Sequence, residues 1–132
     1  MSPDTNTTKK ILVVEDDKEM NASLQRKFEK LGFATESAFD GEEAMKLLKE
    51  KVYDGMTLDL MMPIKDGFAV MAQMRGTPNE KTPVYVLTSI GEEGKVDLAW
   101  ELGAKAVYKK EEYKPADVAE MVCNSINSLP PR

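Results

Sequence analysis

Residues 55–63 read GMTLDLMMP, and this stretch decides the fold. Gly55 to Leu60 is a short, mostly apolar run, of the length and character of one strand buried on both faces. Pro63 bars any helix from running straight on. Asp59 is the anomaly, because a carboxylate among apolar side chains is costly unless something pairs with it. The rest of the chain has to supply that partner.

Similar runs recur on either side. ILVV (11–14), VYVLT (84–88) and KAVYK (105–109) read as strands, with FATESAF (33–39) a more polar one. An amphipathic stretch follows each strand, giving helices expected over 18–31, 41–51, 67–75, 92–102 and 115–128. Leu24, Phe28 and Leu31 make one apolar stripe; Ala44, Leu47 and Leu48 make another; Val118, Val122 and Ile126 a third. Asp40 is placed to cap the second helix, and Gly32 and Gly103 stand where left-handed C-cap residues belong. Five near-apolar strands alternating with five helices predict an α/β sandwich, a parallel sheet covered on both faces. Residues 1–8 are expected to form a disordered tail, 9–128 one domain, and 129–132 a tail or the start of a linker.

Composition narrows the chemistry. With 132 residues there is room for one domain, and a net charge of −5 speaks against direct nucleic-acid binding. No histidine is present, which excludes histidine-based triads and zinc sites. The single cysteine, Cys123, allows no internal disulfide and falls in an apolar helical pattern, so it reads as a small buried hydrophobe. No run is long enough to span a membrane and no signal-peptide core opens the chain, so a cytoplasmic location is expected, with no membrane partner.

In open parallel sheets, ligands bind outside the carboxyl ends of the strands. Here the first strand ends in Glu15-Asp16-Asp17, the third in Asp59, the fourth in Thr88-Ser89 and the fifth in Lys109-Lys110. Taken singly, these have plainer readings. Asp16 or Asp17 suits a helix N-cap, Thr88 and Ser89 suit caps of the fourth helix, and Lys110 suits solvent. Taken together they are more specific. Two carboxylates about 4 Å apart repel by roughly 4 kcal/mol at an effective dielectric near 20. An oxygen-rich, histidine-free cluster therefore suits a hard cation such as Mg²⁺. Metal, lysine and hydroxyl around a carboxylate are the parts of phosphoryl transfer, in which an aspartate can itself be the nucleophile.

The strings ILVVEDD, LDLMMPIKDG, VLTS and LGAKAVYKK, spread over nearly the whole expected domain, resemble the receiver domain of two-component response regulators. The resemblance implies a flavodoxin-like three-layer sandwich with strand order 2-1-3-4-5. It implies Asp59 as phosphoacceptor, taking the group from a phosphohistidine on a histidine kinase or histidine phosphotransfer protein. It further implies Mg²⁺ held by Glu15, Asp16, Asp59 and the Met61 backbone carbonyl, with Thr88 and Lys110 contacting the phosphoryl group. Such a domain is a signalling switch rather than an enzyme, and its output passes through the surface of the fourth helix, fifth strand and fifth helix. That surface includes Glu92, Lys95, Trp100 and Lys105, Trp100 being a residue more often core than contact, and its target is a downstream protein or a fused output domain. Haloacid-dehalogenase-like phosphatases also use an aspartate, but expect a second one where this chain has Met61.

Three departures stand out. The family's lysine usually precedes proline, whereas Glu111 follows Lys110; spacing from Gly103-Ala104 favours Lys110, with Lys109 second, and no cis peptide is expected there. The aromatic switch position falls on Val107, with Tyr108 on the opposite strand face. Met61 and Ile90, two residues past Asp59 and Thr88, are apolar and cannot orient an attacking water, which predicts a long-lived phosphoryl state. A receiver that no longer takes phosphate and acts only as an interaction module is the alternative.

Overall fold

The computed structural model describes residues 8–62, 64–89 and 93–130. Most of the expected tail therefore lies outside the described residues, as do Ile90 and Glu92. The elements run β1 (Lys10–Val14), α1 (Lys18–Lys30), β2 (Ala34–Ala38), α2 (Gly41–Glu50), β3 (Gly55–Asp59), α3 (Gly67–Gln73), β4 (Val84–Thr88), a 3₁₀ turn (Glu93–Lys95), α4 (Val96–Glu101), β5 (Ala106–Lys109) and α5 (Pro115–Asn127). All strands pair in parallel in the order β2-β1-β3-β4-β5, as the resemblance implies.

Side-chain alternation divides the strands between two cores. Leu12, Val14, Met56, Leu58, Val84 and Val86 face α2, α3 and α4 through Leu48, Val70 and Ala99. Ile11, Val13, Tyr85 and Leu87 face α1 and α5 through Phe28, Val118, Val122 and Ile126. Each fully buried leucine or phenylalanine contributes roughly 1.5–3 kcal/mol. Alternation also holds on β5, where Val107 packs into the first core and Tyr108 into the second. Cys123 is buried, and burial pushes its thiol up to about 11.

β2 reads as polar because it is an edge, paired only with β1. Glu36 on it accepts from Lys10, Lys51 and Tyr53 at 3.1, 2.8 and 2.6 Å. Burial works against its charge, but these donors outweigh burial and hold its pKa at about 2. Inward-leaning charge of this kind blunts an open edge.

The helix ends follow the sequence with local exceptions. Asp17 and Asp40 cap α1 and α2, and Gly32 and Gly103 take φ of 90° and 102°. Leu31, expected on the α1 stripe, stands past the helix end and is exposed; the stripe extends the other way, through buried Asn21. The fourth helix is shorter than expected, its first turn being 3₁₀, and the N-cap residue of α4, Lys95, makes no side-chain capping hydrogen bond among the described residues. Trp100 is a correction: it is 48% exposed, since Ala99 takes the inward position on this short helix.

Candidate functional site

Register brings the four strand ends to one rim. Asp59 pairs with Leu87 and Thr88 with Lys109, while the Lys110 N–H donates to Thr88 O at 2.8 Å. Glu15, one residue past the Val14–Leu58 pair, donates its N–H to Ala38 O at 3.1 Å. Side chains leaving these ends converge above the sheet.

Carboxylate oxygens of Glu15, Asp16 and Asp59 all lie within 4.8 Å of one another, with Glu15 and Asp59 buried and Asp16 exposed. Lys110 Nζ sits between the two buried acids, 2.9 Å from Glu15 Oε1 and 3.3 Å from Asp59 Oδ2. Lys109 is exposed, so Lys110 is the lysine of this cluster. Met61 N–H donates to Asp59 Oδ1 at 3.2 Å, and Asp17 N–H to Glu15 Oε2 at 3.1 Å. Thr88 is buried at the same rim.

One ammonium does not balance three carboxylates. Burial first, and the Glu15 charge second, push Asp59 up to about 7 against the opposing pull of Lys110. For Lys110, burial works against the charge, but Glu15 and Asp59 outweigh it and hold the ammonium above its ordinary value. The Glu15–Lys110 contact is close but poorly directed, which leaves buried Glu15 Oε1 without a hydrogen bond. The only other such atom among the described residues is Thr57 Oγ1, in the middle of β3. Excess negative charge and clustered oxygen donors, one of them (Glu15 Oε1) held only by its ion pair, together fit a hard divalent cation.

Two residues position the site in ways the sequence reading did not give: Asn21, which it passed over, and Gly67, which it read only as part of the LDLMMPIKDG string and the start of a helix. Asn21 Nδ2 donates to Glu15 O at 3.0 Å and fixes the turn that carries the acids; its signal was a polar residue on the Leu24–Phe28 stripe. Gly67 opens α3 against the backbone of the strand, where a Cβ would come 2.7 Å from Asp59 O. Only glycine permits that approach. Between them, Ile64 adopts φ 69° and is 73% exposed, a left-handed conformation unfavourable for a β-branched residue.

Among the described residues no helix is long and apolar enough to cross a membrane. The family model for the response regulator receiver domain matches residues 11–122. The transcriptional regulatory protein CpxR of Klebsiella pneumoniae is 42% identical over 95 residues, 72% of this chain, and the chain spans 40% of that relative's length. The Francisella response regulator 1452 receiver domain superposes with a TM-score of 0.74 at 32% identity, covering 91% of this chain and 94% of that one. A CheY-like receiver domain protein of Methanospirillum hungatei superposes at 0.83 with 19% identity, covering 92% and 95%, a likeness of fold.

Proposed function

The chain belongs to the response regulator receiver domain family of two-component systems, and from that premise we propose that Asp59 accepts a phosphoryl group in a Mg²⁺-dependent reaction. The observation that carries the reading is Lys110 Nζ set between buried Asp59 and Glu15, with an oxygen of Asp16 within 4.8 Å of both acids.

Glu15, Asp16 and Asp59, with the Met61 carbonyl, would hold the cation. When bound, Mg²⁺ supplies charge that favours the ionised Asp59 and offsets the phosphoryl oxygens. An Asp59 carboxylate oxygen attacks phosphorus of a phosphohistidine; the new P–O bond forms as the P–N bond breaks, and the imidazole leaves. Lys110, kept protonated by its two acids, pairs with the transferred group. Thr88 turns its hydroxyl to a phosphoryl oxygen. Met61 beside the site has no group to orient water, so the aspartyl phosphate is long-lived.

The movement of Thr88 shifts the 3₁₀ turn and α4, changing the α4–β5–α5 face for a downstream protein or a fused output domain. Because Val107 and Tyr108 point into opposite cores, this shift proceeds without an inward aromatic rotation. The donor is a histidine kinase or histidine phosphotransfer protein, the chemistry is confined to the domain's own Asp59, and the setting is cytoplasmic. Intact-mass measurement after acetyl phosphate and Mg²⁺ tests this: one phosphoryl group is expected, absent with EDTA and from Asp59→Asn. A folded protein that takes no phosphoryl group would point instead to a phosphate-independent interaction module.

A further inference from the structure

We propose that Met61 is a modification site for hydroperoxides, and that its sulfoxide fastens the loop after β3 to the start of α4. Of the eight methionines among the described residues, Met61 alone is exposed, at 44%. Met45, Met56, Met71 and Met74 are buried, and Met20, Met62 and Met121 are partly covered. Thioether oxidation follows access, so Met61 reacts first.

Its surroundings give that oxidation a consequence. Lys95 Nζ lies 3.3 Å from Met61 Sδ and directs a hydrogen bond at it. Sulfur is a weak acceptor. Lys95 closes the 3₁₀ turn and immediately precedes Val96, the first residue of α4, while the Met61 N–H is bonded to Asp59 Oδ1. The contact therefore joins the phosphoacceptor's loop to the element that opens α4. In the reaction the sulfur lone pair attacks a peroxide oxygen and the O–O bond breaks. An S–O bond forms, and the departing hydroxide (alkoxide from an organic hydroperoxide) takes the proton of the sulfur-bound oxygen and leaves as water (or alcohol). Sulfur loses two electrons and the peroxide gains them. The new oxygen is a strong acceptor within reach of Lys95, and a charge-assisted hydrogen bond replaces the weak one.

On the proposed function, a tighter latch opposes the α4 shift, so peroxide would dampen the response to phosphorylation; that consequence rests on the receiver reading, whereas the latch does not. The test is limited hydrogen peroxide treatment of the unphosphorylated protein, peptide mapping of the added oxygen, and amide exchange across 95–101. Expected is a single oxygen on Met61, with exchange slowed about threefold in the wild type but unchanged in oxidised Lys95→Ala and in treated Met61→Leu. First oxidation elsewhere, or oxidised Met61 with unaltered exchange, would overturn the proposal. Acetyl phosphate uptake by untreated protein is scored separately, so its failure strikes the receiver reading and leaves the latch standing.

Discussion

The two ends of the sheet bury polar groups in opposite ways. At the amino end, Asn79 is fully buried and saturated: Nδ2 donates to Leu48 O and Lys51 O at 2.7 and 2.5 Å, and Oδ1 accepts from Tyr53 N–H and the Thr82 hydroxyl at 2.8 and 2.9 Å. Asp54 nearby accepts from Lys10 N–H at 2.8 Å. At the carboxyl end, Glu15 Oε1 lacks a hydrogen bond, Asp59 is pushed up to about 7, and Ile64 holds a strained backbone. Saturated polar groups fix a fold; undersatisfied ones, clustered with excess charge, mark where a ligand completes the structure.

Mutation should divide the two ends cleanly. Asn79→Ala removes a hydrogen-bond partner from four groups, three of them buried, and is expected to destabilise by about 2–4 kcal/mol in urea unfolding; a loss under 1 kcal/mol would mean water replaces the side chain. Asp59→Asn should act in the opposite direction in the metal-free protein. Asp59 holds its proton more tightly folded than unfolded, so its contribution to stability is full below about pH 4 and lost as pH rises through about 7. The chain has no histidine to titrate across that window. The mutant should therefore gain on the wild type as pH rises, ending on the order of 1–2 kcal/mol more stable at pH 8. Mg²⁺ should close that gap by stabilising the wild type alone. A gap independent of pH would place the Asp59 carboxyl in a different electrostatic setting. The smallest effect belongs to Ile64→Asn, which suits a left-handed residue and should stabilise by about 0.5–1 kcal/mol. No gain in melting temperature would remove strain from the comparison.

Much of this contrast was legible in the sequence, and the reason is local. The strands showed as apolar runs, and Asp59 showed because a carboxylate breaks the pattern of a buried strand. Glu15, Asp16, Thr88 and Lys110 were placed because parallel strands align their carboxyl ends whatever their order. The order itself came only through resemblance, since hydrophobic pattern says nothing about which strands are neighbours. Asn79 was invisible: it sits in a turn among Thr77, Pro78 and Glu80, and nothing local distinguishes a saturated buried asparagine from a solvated one. Trp100 misled for a related reason: tryptophan is more often core than contact, but a helix of six residues had only Ala99 to bury.

The most direct measurement is chemical trapping of the acceptor. Protein treated with acetyl phosphate and Mg²⁺ is reduced with borohydride, which converts an aspartyl phosphate to homoserine, and the product is sequenced by peptide mass spectrometry. Homoserine at position 59 alone is the predicted result. Homoserine at 16 or 17, or at no position in a folded protein, would contradict the account.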